Sequence, residues 1–79
     1  MSISDLKKGD SFRVIHVTLP REIGKRLADM GFTEGVEGKV VRSTLFGDPI
    51  QIKLMGYDIS IRKSEAKGVS VELIKKESE

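Results

Sequence analysis

The one histidine of the chain, His16, is the side chain best suited to catalysis or metal binding, because imidazole exchanges protons near neutral pH and binds transition metals. The chain has no cysteine, so thiolate catalysis, cysteine metal sites and disulfide bonds are excluded. The acidic residues form no Asp-x-Asp or Glu-x-x-His group. A weak divalent-metal site stays open, with His16 and Asp48 as first candidate ligands and Asp58 and Glu65 as further carboxylates.

Glycine loops that bind phosphate are also absent, because neither G-x-G-x-x-G nor G-x-x-x-x-G-K-[ST] occurs in the sequence. His16 lies in an apolar segment, and no serine or carboxylate stands at a spacing typical of a catalytic triad. We therefore predict no catalytic residues and no certain cofactor, and we do not expect an enzyme.

The charge is nearly balanced over the 79 residues, with 14 Lys plus Arg against 12 Asp plus Glu. Proteins that bind nucleic acid usually carry a clustered basic face, which neutralises phosphates. The other requirement for binding single strands is a platform of aromatic side chains. Three of the four aromatic residues are phenylalanines in segments that need a core: Phe12, Phe32 and Phe46, beside Tyr57. No nucleic acid is expected as a partner.

Short segments rich in β-forming residues alternate with turns over most of the chain. Between the first two strands, Ile23, Leu27 and Met30 recur at helical spacing after Pro20, which suits the first helical position. A flat sheet in so small a chain would expose its edges, and curling removes most of them. The fold class predicted is mainly β: a small SH3-like five-stranded β-barrel with one short helix after the first strand. The predicted strands are residues 12–17, 36–46, 50–54, 59–62 and 69–74.

Two glycines have predicted structural roles. Gly31 is placed to end the helix in a left-handed cap with Phe32 packing back. Gly38 lies inside the second strand and predicts a bulge or bend there.

Residues 1–74 are expected to form one domain, and residues 75–79 (KKESE), which include no apolar side chain, a frayed tail. No apolar run is longer than two residues, so no segment can span a bilayer. The N-terminus (MSISDLKKGD) has no stretch resembling a signal peptide. The predicted location is the cytoplasm.

Three segments, taken together in this order, resemble one family. They are R-L-x-x-x-G-F-x-x-G from Arg26, F-G-D-P-I from Phe46 and I-x-I-R-x-x-E-A from Ile59. They are similar to segments of the FeoA-type domain, a small cytosolic accessory protein of bacterial ferrous iron uptake, and the resemblance extends from about Leu6 to Leu73. It implies an SH3-like barrel and association with the cytosolic side of a FeoB-type membrane GTPase transporter. The domain would then reach the membrane only through this partner.

The helix is the feature that a minimal barrel lacks, so we expect the helix and its adjoining turn to recognise the transporter. Arg21, Lys25 and Arg26 are the expected rim charges, and Leu27 and Met30 are the expected apolar anchors. Contact hot spots favour arginine and aromatic side chains over lysine. The structural alternative stays open, in which Leu27 and Met30 only dock the helix on the barrel.

Other functions also stay open. The chain would be a carrier or sensor of a transition metal if it bound Fe²⁺ directly, or, with less support, a nucleic-acid-binding barrel. Homo-oligomers would form if the edge strand at residues 69–73 paired with a second copy. Stimulation of GTP hydrolysis, gating of the pore and scaffolding of a complex all fit the accessory role.

Overall fold

The computed structural model describes residues 1–43, 48–54 and 56–74. The predicted strands and the helix after the first strand are confirmed, with a 3-10 turn at Ile3–Asp5 before them. Leu45, Phe46, Gly47, Met55 and the predicted tail at 75–79 lie outside the described residues. The elements are β1 (Ser11–Val17), α1 (Arg21–Asp29), β2 (Glu37–Ser43), β3 (Ile50–Leu54), β4 (Tyr57–Ile61), α2 (Lys63–Ala66) and β5 (Val69–Ile74).

All strand pairs are antiparallel, and the order across the sheet is β4-β3-β2-β1-β5. The register shifts between Val14 and His16 in β1 and between Val40 and Arg42 in β2. Such irregularities increase local twist and bend a strand. The bends let a single sheet of short strands curve around one core.

The buried apolar side chains form one cluster drawn from all five strands, both helices and the N-terminal turn. Its largest fully buried members include Phe12, Phe32, Leu27 and Ile52. The cluster consists of Ile3, Leu6, Phe12, Val14, Leu27, Phe32, Val40, Ile50, Ile52, Leu54, Ile61, Ala66, Val69 and Val71.

No helix among the described residues has the length and apolar character needed to cross a membrane.

The end of α1 is fixed by backbone hydrogen bonds. Gly31 has φ +106°, and its N–H donates to Ala28 O at 3.0 Å while Phe32 N–H donates to Leu27 O at 2.9 Å. This pair of bonds is a Schellman motif, so the predicted left-handed cap is confirmed. At the other end Pro20 is extended (φ −52°, ψ 149°), so it caps the helix instead of being its first residue as predicted.

Gly38 is not at a bulge, contrary to the sequence prediction. It lies in regular register, opposite Phe12 on one side and Leu54 on the other, and the shift in β2 comes later. A Cβ at Gly38 would lie 2.8 Å from Phe12 Cζ and 2.6 Å from Leu54 Cδ2. The two large core side chains meet above this position, and that contact requires glycine.

The free edge of β5 is partly occupied within the chain. Ser2 forms a β-bridge with Ser70, and Val71 N–H donates to Met1 O at 2.9 Å. A second copy pairing along 69–73, which the sequence left open, would have to displace these two N-terminal residues.

Gly38→Ala is expected to lower the free energy of unfolding by about 1–3 kcal/mol, because the added methyl group overlaps Phe12 and Leu54. Gly24→Ala inside α1 is the matched control. The nearest heavy atom to its Cβ position outside the helix backbone is Leu19 O at 3.9 Å, so the methyl group fits. It should stabilise the protein by about 0.5–1 kcal/mol. Urea unfolding followed by circular dichroism measures both, and two effects of the same sign would contradict the close contact at Gly38.

Candidate functional site

The three sequence segments that carry the family resemblance meet at one cleft of about 480 Å³. The C-terminal end of α1 forms one wall of the cleft, and the Asp48–Pro49 segment just before β3 forms a second wall. The end of β4 and α2 form the rest. Residues far apart in sequence are therefore brought together around one opening. The lining residues are Arg26, Met30, Asp48, Pro49, Ser60, Ile61, Arg62 and Glu65.

An ion pair between Arg26 and Glu65 joins α1 to α2 across the cleft. Glu65 is buried, with 8% of its surface exposed, whereas 55% of the Arg26 side chain is exposed. Glu65 Oε1 also accepts a hydrogen bond from Arg62 N–H at 3.2 Å. A buried carboxylate needs such partners, because loss of hydration without compensation is costly. The pair consequently positions both helices.

Asp48 holds the start of β3 against α2. Its Oδ1 accepts a hydrogen bond from Lys63 N–H, the first backbone donor of α2, at 3.1 Å. The Asp48–Pro49 peptide bond is cis. Asp48 and Glu65 thus both bond to backbone groups at the start of α2, which is a structural role for two of the four metal-ligand candidates.

The structure brings Asp48 and Glu65 to the same cleft, but the other two metal-ligand candidates, His16 and Asp58, do not line it. His16 lies outside the cleft, where its Nδ1 is 3.3 Å from Glu34 Oε2 and both side chains are mostly exposed. Over residues 1–43, 48–54 and 56–74, no group of three histidine, aspartate or glutamate side chains is arranged to hold a metal ion. The two weak candidates therefore lie apart, with Asp48 at the cleft and His16 outside it.

The predicted contact residues on and next to α1 differ in how deeply they are buried. Arg21, Lys25 and Arg26 are exposed, and Met30 is half-buried at the cleft. Leu27 is fully buried in the core, so it cannot be an exposed anchor for a partner. For Leu27 the structural alternative is correct: the side chain docks α1 on the sheet. Helical spacing alone could not make this distinction, because Leu27 and Met30 lie on the same stripe.

Tyr57 is a site residue that sequence reasoning missed. Its hydroxyl donates a hydrogen bond to Met30 O at 2.7 Å, so β4 holds the C-terminal end of α1. A Cβ at Gly31 would lie 2.8 Å from this hydroxyl, which gives Gly31 a second reason to be glycine. The signal available in the sequence was a tyrosine beside Gly56 in the predicted turn between two strands. In the structure Tyr57 is the first residue of β4 and is 46% exposed.

The phenylalanines that the structure describes are core residues and offer no stacking platform. Phe12 is 0% exposed and Phe32 is 1% exposed. Phe46 is outside the described residues. Stacking of successive bases requires several exposed aromatic faces, and Tyr57 is the only exposed aromatic residue in the described part of the chain, which therefore does not support the nucleic-acid alternative.

Glu65→Ala is expected to lower the free energy of unfolding by about 1–3 kcal/mol, because it leaves Arg62 N–H and the Arg26 guanidinium without their acceptor. Glu34→Ala removes a carboxylate from an exposed pair with His16 and should change stability by less than about 0.5 kcal/mol. Thermal and urea unfolding of the two variants test this difference. Similar losses would show that the buried pair does not hold the two helices.

Comparison with known proteins agrees with the motifs around the cleft. A family model of the FeoA domain matches residues 1–73. An Fe(2+) transport protein A/Fe(2+) transporter FeoB fusion protein from Porphyromonas gingivalis is 34% identical over 74 residues, which are 94% of this chain. The chain spans only 9% of the length of that fusion protein.

Solved structures share the fold over almost the whole chain. The solution structure of the FeoA protein from Chlorobium tepidum has a TM-score of 0.89 at 33% identity, covering 99% of this chain and 74% of that one. The zinc complex of Stenotrophomonas maltophilia FeoA, described as a prokaryotic SH3 domain protein, has a TM-score of 0.80 at 32% identity, with 91% and 89% covered. The SH3-like fold is thereby confirmed, and the chain belongs to the FeoA domain family, which is associated with ferrous iron transport.

Proposed function

We propose that this domain is a cytoplasmic accessory protein of ferrous iron uptake that binds the cytosolic side of a FeoB-type GTPase transporter. The observation that carries the proposal is the Porphyromonas gingivalis fusion, in which a region similar to nearly all of this chain is joined to FeoB. Covalent linkage keeps two domains at a high effective concentration. A fused relative is therefore the arrangement expected of two domains that act on each other.

We place the contact on the exposed side of α1 and the adjoining cleft. Arg21 and Lys25 are rim charges, and no ion pair among the described residues involves either. Arg26 and Met30 line the cleft, where charged and apolar surfaces alternate. A polar rim around a partly apolar centre is the usual anatomy of such interfaces. Leu27 contributes from beneath by holding the helix in place.

The proposed role is binding and not catalysis. The described acidic side chains at the cleft, Asp48 and Glu65, are bonded to the backbone of α2. They are thereby fixed in position as parts of the surface that a partner would meet. Regulation of the transporter would then follow from differential binding to its conformational states, since a partner shifts an equilibrium only by its difference in affinity.

Arg21→Glu combined with Lys25→Glu is expected to weaken binding to the transporter about tenfold, equal to about 1.4 kcal/mol, by reversing two rim charges. Arg42→Glu with Lys67→Glu makes the same charge change at two exposed positions outside α1 and the cleft lining, and it should have an effect of less than about twofold. Biolayer interferometry with the detergent-purified FeoB-type transporter of the same bacterium measures the affinities, after circular dichroism has shown that both variants fold.

The wild-type result tests the function and the variants test the surface. Absence of binding between wild type and the transporter would contradict the proposed function. Equal losses in both double variants would leave the partner in place but refute the α1 surface. Leu27→Asp is unsuitable here, because a charge at a fully buried position would unfold the domain.

A second candidate function is direct binding of a divalent metal, favoured by the zinc complex of the Stenotrophomonas maltophilia relative. The described residues fit such a site poorly, since His16 has one neighbouring carboxylate, that of Glu34. Anaerobic titration with Fe²⁺ tests this candidate. Stoichiometric binding that His16→Ala abolishes would establish it, and weak binding unaffected by that change would remove His16 as a ligand.

A further inference from the structure

The outer face of the sheet places two lysines directly opposite each other. Lys39 of β2 pairs with Lys53 of β3, and Lys53 pairs with Asp58 of β4 on its other side. All three are exposed, whereas Val40 and Ile52, which alternate with them, are buried. The strand alternation therefore turns these charges away from the core and toward solvent.

A third lysine joins the pair from the turn before β1. Gly9 N–H donates to Val40 O at 2.8 Å and Val40 N–H donates to Asp10 O at 2.8 Å, so this turn is held against β2. Lys8 consequently lies at the same place as Lys39 and Lys53. Together they border a hollow of about 360 Å³, which we call the lysine hollow. Its lining residues are Lys8, Gly9, Lys39, Val40, Val41, Lys53 and Asp58.

The neighbouring row of the same face shows how the chain neutralises a charge when it can. Arg13 lies between Glu37, at 2.9 Å, and Glu72, at 2.7 Å. The hydrogen bond to Glu37 and then that to Glu72 raise the pKa of Arg13 above its ordinary value. That row carries two carboxylates for one guanidinium.

The lysine hollow has less compensation, because its three lysines share a single lining carboxylate, that of Asp58 opposite Lys53. No ion pair among the described residues involves a lysine. Like charges directly opposite on two strands destabilise a sheet. The repulsion between Lys39 and Lys53 therefore opposes folding, and the positive charge of the two lysines can attract an external anion.

We propose that the lysine hollow binds an acidic segment of a partner protein, whose carboxylates enter between Lys8, Lys39 and Lys53. Ammonium groups are compact charges with three donors each, which suits carboxylates arriving from several directions. The hollow has side-chain dimensions and an apolar edge at the half-buried Val41, whereas a flat bilayer would reach only the lysine tips. The idea that this acidic segment belongs to the transporter rests on the proposed function. The affinity of the hollow for an acidic segment does not depend on it.

The decisive variant is Lys39→Gln, because it separates binding from folding. Removing the repulsion with Lys53 should raise Tm by about 2 °C or more. The same change should weaken binding of a fluorescein-labelled Glu-Gly repeat peptide about fivefold, measured by fluorescence anisotropy at low salt. Lys67→Gln is the matched control, because this exposed lysine lines neither the cleft nor the hollow, and it should change binding of the same peptide by less than about twofold. A Gln-Gly repeat peptide tests that charge is required.

Three results would overturn the proposal. They are equal weakening by Lys39→Gln and Lys67→Gln, undiminished binding by Lys39→Gln, and preferential Lys39-dependent binding to phosphatidylserine vesicles over the peptide. The outcome is independent of the transporter assay. Peptide binding without transporter binding would refute the proposed function and leave the lysine hollow standing, and the reverse result would refute only the hollow.

Discussion

The buried carboxylate of Glu65 is the group on which the site depends. In a chain of this size little surface can be buried, and an ionised group inside it is tolerated only when it is hydrogen-bonded and paired. Arg26 supplies the charge from α1 and the Arg62 N–H supplies the backbone donor at α2. Because these partners come from separate elements, satisfying one carboxylate determines where both helices lie and forms the cleft between them.

The same few contacts hold the surface that we propose for the transporter. Leu27 fixes α1 from below, and Tyr57 bonds the carbonyl of Met30 at its end. Asp48 anchors the opposite wall through the N–H of Lys63. A contact surface carried on anchored elements loses little conformational freedom on binding, which favours affinity. The contacts that stabilise this domain would therefore also shape the surface proposed for recognition of the transporter.

Charge is distributed unevenly over the outer face of the sheet although the chain is nearly neutral. Arg13 is neutralised by Glu37 and Glu72, while Lys39 and Lys53 face each other with a single carboxylate beside them, that of Asp58. Composition averages these two environments into a net charge of +2. Strand register separates them, and a surface of this kind is suited to orienting a charged partner.

Local patterns in the sequence predicted the strands, the helix after β1 and the cap at Gly31, because alternation, helical spacing and turn chemistry are local properties. The sequence motifs also indicated the family. The folded packing was needed to show that Leu27 is core while Met30 borders a cleft, and that Gly38 packs closely against Phe12 and Leu54. Burial and close approach depend on residues distant in sequence, so no local pattern contains them.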